Sequence, residues 1–278
     1  MKLIQYIKLS LIIILCGIIY YPAFIWMWGR WNTAGSYYSH GPAIILAVLF
    51  FIWNSKNELK TIIFKPSNKG IIFIIAGIFL HFSGMVTGFI FLSAFSMVVL
   101  FSGIVLYCLG SKAFKTLLFP ITYLLFMIPL PLVLTSNIVL RMKLFAAQAA
   151  VIMLNKIGIQ ALRDGSIIRT LHSFLEIEAP CSGLRSLIAL LAFGAAFAYL
   201  TKNSILKKWL VFLSALPIAL SANILRIVLL GWVSEIYGMQ AAHGWIHDFS
   251  GFLLFAFAGM CLLGLNSLFI KYEDTYAG

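Results

Sequence analysis

The chain is 278 residues long; 62% of its residues are hydrophobic and only 10% are charged. Soluble globular domains carry about 25% charged residues, so this composition excludes that class and is typical of a polytopic membrane protein. The formal net charge of +12 does not indicate nucleic-acid binding, because the basic residues are scattered singly or in pairs between apolar stretches.

Windows of about 20 apolar residues predict eight transmembrane helices. They lie near residues 4–26, 38–54, 70–88, 90–110, 116–135, 181–200, 208–232 and 246–270. The first starts with lysines, as a signal peptide does, but it lacks a small-residue cleavage site, so we expect a retained span. We therefore predict an all-α polytopic membrane fold with a single membrane domain over residues 1–278.

Residues 136–180 form an inserted segment between the fifth and sixth predicted spans, and we expect it on the outer side of the membrane. Polar side chains interrupt an apolar helical pattern over residues 137–157, which indicates an amphipathic helix at the outer leaflet. After it, an Asp164-Gly165 turn and partial alternation predict a small hairpin that leads directly to Cys181.

The lysines between the spans predict the orientation of the chain, because short cytoplasmic loops are enriched in basic residues. Twelve lysines fall on one side of the eight-span topology: Lys2, Lys8, Lys56, Lys60, Lys65, Lys69, Lys112, Lys115, Lys202, Lys207, Lys208 and Lys271. Both termini are then cytoplasmic, and the inserted segment faces outward.

Cys181 is the cysteine whose surroundings favour chemistry. The other three lie inside hydrophobic spans, where a free thiol usually packs as a small apolar group. Cys181 lies where a polar segment meets a span, and Pro180 suits the start of a helix, whose exposed N–H groups favour a thiolate. Arg185, one turn later on the same face, would favour the thiolate as well.

The predicted topology brings further polar residues to the same membrane face. Arg226 lies in the outer half of the seventh span, where a charged residue costs roughly 2.5–3.5 kcal/mol and needs an anionic partner, a water-filled cavity or a functional site. Glu235 and Asp248 are the alternative ion-pair partners. His243 and His247 lie just before the last span, and either histidine is a candidate base for the thiol.

Five short motifs occur in order along nearly the whole chain. They are Tyr38-Ser39-His40-Gly41-Pro42, the Leu-Leu-Phe-Met-Ile-Pro-Leu-Pro run that ends at Pro131, Ala179-Pro180-Cys181-Ser182-Gly183-Leu184-Arg185-Ser186, Asn223-Ile-Leu-Arg226-Ile, and His247-Asp-Phe-Ser-Gly251. With these motifs the chain resembles the exosortase and archaeosortase family of membrane cysteine transpeptidases. The bacterial exosortase branch fits better, because the archaeal branch has an arginine where this chain has His247.

The resemblance implies a catalytic triad of Cys181, Arg226 and His247. We expect four further residues to support the site or bind substrate: His40, Arg185, Asn223 and His243. The resemblance also implies a protein of the bacterial inner membrane that cleaves a C-terminal sorting signal on secreted proteins. Such a signal has a short motif such as Pro-Glu-Pro, a transmembrane helix and a basic tail, and the cleaved protein would pass to a cell-surface or polysaccharide-linked acceptor.

Other functions fit parts of the pattern. A thiol oxidoreductase also places reactive thiols at an outer face, but it normally uses paired cysteines. A non-enzymatic component of polysaccharide export or assembly would use Arg226 and the basic outer segment to handle an anionic polymer. A rhomboid-like serine protease is less consistent, because no serine lies in a matching motif with a partner histidine. We expect no cofactor, metal site or nucleic-acid partner, because the sequence has neither metal-ligand spacing nor a Gly-rich phosphate loop.

Overall fold

The computed structural model describes residues 11–12, 14–177, 182–201, 204–238, 240 and 245–276; at 245–248, 254, 266 and 268–276 only the backbone is described. The chain divides into two compact units, Met1–Pro131 and Leu132–Gly278. Most of the regular structure is α-helical, as predicted. That the chain forms a single membrane domain stays a prediction.

The first unit is built from α-helices and one 3₁₀ turn. The helices are α1 (Tyr21–Asn32), α2 (Gly41–Asn54), α3 (Lys56–Thr61), α4 (Lys69–Val86), α5 (Ile90–Cys108) and α6 (Gly110–Tyr123), and the 3₁₀ turn is Leu124–Met127. Residues 14–19 are also helical and run through Tyr20 into α1. The predicted third and fourth spans, 70–88 and 90–110, are separate helices, because α4 ends at Val86 and Gly88 has a positive φ of 70° before α5 begins.

The fifth predicted span, residues 116–135, is wrong as a single helix. α6 ends at Tyr123, and a new helix begins at Leu132, directly after Pro131. Proline lacks an N–H donor and disfavours helical backbone at the residue before it, so Pro129 and Pro131 end the helical run.

Side chains from the start of the unit satisfy carbonyls that this break leaves unpaired. The indole N–H of Trp31 donates to the carbonyl of Met127 at 2.9 Å. The Nε2 of His40 lies 3.3 Å from the carbonyl oxygen of Phe126. His40 therefore contacts the 3₁₀ turn inside the first unit.

The second unit consists of four helices and a three-stranded antiparallel sheet. The helices are α7 (Leu132–Lys156), α8 (Leu184–Leu200), α9 (Ile205–Tyr237) and α10 (Trp245–Tyr276), and the strands are β1 (Ala161–Asp164), β2 (Ile167–Thr170) and β3 (Phe174–Glu176). The sheet order is β1-β2-β3. α9 packs against α7, α8 and α10, so it is the central helix of this unit.

The predicted hairpin before Cys181 is confirmed, with a third strand added. β1 and β2 pair across residues 165–166, with Asp164 opposite Ile167. One apolar core joins the sheet to α7 and α9; its fully buried members include Leu154, Ile168, Ile177, Ile227 and Leu230. This core positions β3 and Ile177 against the side of α9.

Four described helices are long and apolar enough to span a membrane: α4, α5, α7 and α9. α2, α8 and residues Phe249–Leu265 of α10 are apolar but shorter. The predicted set of eight spans is therefore not confirmed. The interfacial helix predicted at 137–157 is not confirmed either, because α7 begins at Leu132 and its 25 residues give about 38 Å of rise, enough to cross a bilayer.

Candidate active site

Three segments of the second unit meet around the middle of α9. They are the chain that enters α8, the turn of α9 that carries Asn223 and Arg226, and the first turns of α10. Asn223 and Arg226 are three residues apart, so they lie on one face of α9. The three segments carry the motifs at residues 179–186, 223–227 and 247–251.

Arg226 contacts the start of α10. Its Nε donates a hydrogen bond to the hydroxyl oxygen of Ser250 at 3.3 Å, and Ser250 is only 3% exposed. A Cβ at Gly251 would lie 3.2 Å from both Cζ and Nη2 of Arg226, closer than almost all real Cβ contacts. The missing side chain of Gly251 therefore makes room for the guanidinium against α10.

Gly183 brings the chain that follows Cys181 against α9. Its φ is 83°, in the left-handed region that favours glycine. A Cβ at this position would lie 2.6 Å from Cγ of Asn223, whose side chain is buried. Gly183 is two residues after Cys181, so this close contact determines where the chain leaving the thiol meets α9.

The local start of α8 differs from the prediction. The α-helix begins at Leu184, after the left-handed Gly183 and three residues later than the predicted span start at 181, while Pro180 lies outside the described residues. The hydroxyl of Ser186 donates to the carbonyl of Gly183 at 2.9 Å and closes the first turn. Arg185 lies in this turn and is partly exposed.

A cavity of about 30 Å³ lies beside Arg226. Its walls come from Ser186 and Leu190 of α8, from Ala219, Ala222, Asn223 and Arg226 of α9, and from Gly251, Phe255 and Ala258 of α10. A water needs about 10–15 Å³ by this measure, so the space accommodates water beside the guanidinium. The cavity is thus consistent with the water-filled surroundings that an arginine in a membrane helix requires.

Glu235 does not support the alternative of an ion pair with Arg226. It lies nine residues further along α9, about 13.5 Å of helix rise away. Its carboxylate instead accepts hydrogen bonds from His172, from Nδ1 at 2.7 Å and from the backbone N–H at 3.2 Å. The side chain of the other alternative partner, Asp248, lies outside the described part of the structure.

The predicted site residues fall into three groups. Arg226 and Asn223 lie together on α9, with Arg185 in the first turn of α8. Cys181 and His243 lie outside the described residues, and for His247 only the backbone is described, in the first turn of α10. His40 belongs to the first unit and contacts Phe126 there.

The structure adds three site residues that sequence reasoning did not single out: Gly183, Ser250 and Gly251. Each lies inside one of the motifs, beside or within one turn of a polar residue that the sequence did single out. In the sequence, the feature that could have indicated these three residues is their small size and their position near a candidate catalytic side chain. Within the described residues, no three His, Cys, Asp or Glu side chains lie close enough to hold a metal ion.

Comparison with known proteins tests the resemblance directly. A family model described as "Transmembrane exosortase" matches residues 28–264. No curated protein and no solved structure shows a significant match. The matched residues include Gly183, Asn223, Arg226 and Gly251, and they span most of the chain. This membrane protein therefore belongs to the transmembrane exosortase family.

Proposed function

We propose that this protein is a membrane cysteine transpeptidase that cleaves a C-terminal sorting signal on secreted proteins and transfers them to a cell-surface acceptor. The observation that carries the proposal is the contact of Arg226 with Ser250 and Gly251, on the helix whose first turn contains His247. The contact between Gly183 and Asn223 brings the other motif, which contains Cys181, to the same face of α9. Described residues of three motifs that are far apart in sequence thus meet at one face of α9, which supports a shared site.

In the proposed reaction, the Cys181 thiolate attacks the scissile carbonyl carbon. His247 takes the thiol proton and later donates it to the leaving amine as the C–N bond breaks, which leaves a thioester on Cys181. The amine of an acceptor, or water, then attacks the thioester and regenerates the thiol. His247 lies one helical turn before Gly251, which supports its assignment, whereas His243 lies outside the described residues.

Arg226 has the oxyanion role in this proposal. A tetrahedral intermediate carries negative charge on the former carbonyl oxygen, and fixed donors in a water-poor site stabilise that charge strongly. Ser250 holds Nε and so restrains the guanidinium plane, while the glycine at 251 leaves space at Nη2. A planar fork of donors fits this task better than the single ammonium group of a lysine.

The membrane arrangement follows from the same proposal. The sorting signal would include a transmembrane helix, which lies in the same bilayer as the spans of this protein. The lysine distribution favours cytoplasmic termini and a site on the outer face of the bacterial inner membrane. A cell-surface or polysaccharide-linked acceptor would then reach the thioester from outside.

Substitution of the thiol tests the proposal in cells. Cys181→Ala and Cys181→Ser should each lower processing of a reporter that ends in a Pro-Glu-Pro motif, an apolar span and a basic tail. We expect a loss of at least about 10³-fold, because removal of a nucleophile leaves only the background rate of the remaining site. Immunoblotting separates the precursor from the cleaved reporter.

Cys108→Ala is the matched control, because Cys108 is an exposed cysteine at the end of α5. It should process the reporter at the wild-type rate. Wild-type processing by a normally abundant Cys181→Ala protein would show that the proposed chemistry is wrong.

A further inference from the structure

The sheet before Cys181 has two edges, and its hydrogen bonds determine which groups face them. Ser173 accepts a main-chain hydrogen bond from β2, and the N–H of Ile177 donates one back to the turn before β2. In an antiparallel pair, the main-chain N–H and C=O groups of successive residues point alternately toward the neighbouring strand and away from it. The main-chain N–H and C=O groups of Phe174 and Glu176 therefore point away from β2.

The β1 edge is already occupied. The side chain of Asn155 accepts a hydrogen bond from the N–H of Ala161 at 3.1 Å and donates to its carbonyl at 2.9 Å. Arg163 also reaches from β1 to the carbonyl of Leu144 at 3.3 Å. α7 thus covers this edge with side-chain contacts.

The β3 edge differs, because no described strand pairs with it. Leu175 is buried under the strand, whereas the side chain of Phe174 is 48% exposed and Glu176 is exposed as well. An uncovered strand edge is a template for another extended chain. Recognition by strand addition uses such main-chain groups for affinity and neighbouring side chains for specificity.

The position of this edge selects its occupant. Ile177 follows β3 directly, and Cys181 is four positions further along the chain, a reach of at most about 14 Å. An extended peptide of a few residues, paired with β3, is long enough to cover this distance. The chain that would need to lie there is the one whose carbonyl reacts with the thiol.

We propose that the edge of β3 with which no described strand pairs binds the extended segment of the substrate, next to its scissile bond, as an added antiparallel or parallel strand. This inference rests on the proposed function and names the subsite that orients the peptide for Cys181. The N–H and C=O groups of Phe174 and Glu176 pair with the peptide backbone, and the exposed Phe174 ring contacts its side chains. Because main-chain pairing does not depend on the side chains of the peptide, one subsite would accept different sorting motifs.

Proline at position 176 tests the pairing, because it removes an N–H that faces the free edge and leaves the β2–β3 bonds in place. Proline is tolerated at such edge positions. Purified full-length protein in lipid nanodiscs would cleave a synthetic peptide with Pro-Glu-Pro, an apolar span and a lysine-arginine tail. We expect Glu176→Pro to lower kcat/KM about tenfold or more.

Arg163→Pro is the matched control, because the N–H of Arg163 faces outward from the opposite edge of the same sheet. It should retain the wild-type kcat/KM, and size-exclusion chromatography checks that both variants are folded. Equal rates for Glu176→Pro and Arg163→Pro, or equal losses, would overturn the proposal.

Peptides methylated at single backbone nitrogens give a second test on the unaltered enzyme. Strand pairing predicts that cleavage falls at every second residue of the segment before the apolar span, since alternate N–H groups face β3. Cleavage of all the methylated peptides at one rate would overturn the β3 subsite while leaving the proposed function intact. Failure of the wild-type protein to cleave the unmodified peptide would instead reject the proposed function, and the subsite with it.

Discussion

Arg226 shows how a single charged residue is accommodated in a helix that is apolar enough to span a membrane. Its Nε is held by the buried Ser250, and the guanidinium lies beside a cavity large enough for water. A charged side chain at such a position is costly and usually functional. Its contacts with Ser250 and Gly251 join α9 to the first turns of α10, the helix that contains His247.

Gly251→Ala tests whether the position of this guanidinium matters. The added methyl group would lie 3.2 Å from Cζ of Arg226, so the flexible end of the side chain must shift by a few tenths of an ångström. We expect reporter cleavage to fall about 10-fold to 100-fold with little loss of stability, since misplacement of about 1 Å can cost about 10²-fold in rate. Kinetic assay of the purified variant measures the effect.

Gly259→Ala is the control for this change. Gly259 is two turns further along α10, and within the described residues no atom outside the local helix backbone lies within 4 Å of a Cβ placed there. It should cleave the reporter at the wild-type rate. Equal activity of the two alanine variants would contradict the importance of the guanidinium position.

The site was predictable at the residue scale only in part. Arg226 was identifiable because a charge in an apolar helix is costly, and Cys181 because it lies where a polar segment meets a predicted span. The role of Gly251 depends on a side chain from another helix, and that of Gly183 on Asn223. A glycine alone does not reveal which atoms approach it, so these roles required the structure.

At the scale of elements, α4 and α5 pack along a line of glycines. Gly70, Gly77 and Gly84 recur every seven residues, or about two helical turns, and all three are buried. A Cβ at Gly77 would lie 2.9 Å from the backbone nitrogen of Leu100 on α5. Close approach at small residues is a common means of association for membrane helices.

Gly77→Val should therefore destabilise the first unit. The side chain meets α5 backbone, which cannot move aside as a flexible side chain can, and overpacking of this kind costs about 1–3 kcal/mol. Equilibrium unfolding in mixed detergent micelles measures the loss in the free energy of unfolding. Gly29→Val on α1, where no described atom beyond the local helix backbone lies within 4 Å of the added Cβ, should lower the free energy of unfolding clearly less. An equal loss for the two variants would argue against the glycine contact.

The break between α6 and α7 shows what hydropathy windows overlook. Residues 116–135 are apolar enough to be taken as one span, but Pro129 and Pro131 end the helical run. The carbonyl of Met127 then bonds to Trp31, a residue 96 positions away. Composition predicted that these residues are in the membrane, whereas the partners of the broken helix depend on tertiary structure.

At the scale of the whole molecule, composition determines the class and the lysines predict the orientation. The 33 residues of α9 give about 50 Å of helix rise, more than the roughly 30 Å of a hydrocarbon core. At its C-terminal end, Glu235 bonds to His172 and Ser234 to Ser173, in the segment between β2 and β3. The helix therefore connects the Arg226 site to the sheet that precedes Cys181.

The direct test of the account is to trap the covalent intermediate on the full-length protein in nanodiscs. The enzyme would be mixed with the Pro-Glu-Pro reporter peptide without an acceptor, quenched in acid and analysed by intact and peptide mass spectrometry. We expect an acyl adduct of the N-terminal substrate fragment, mapped to Cys181, released by hydroxylamine and absent in Cys181→Ala. Cleavage that continues in Cys181→Ala, or an adduct on another residue, would contradict the assignment of Cys181 as the nucleophile.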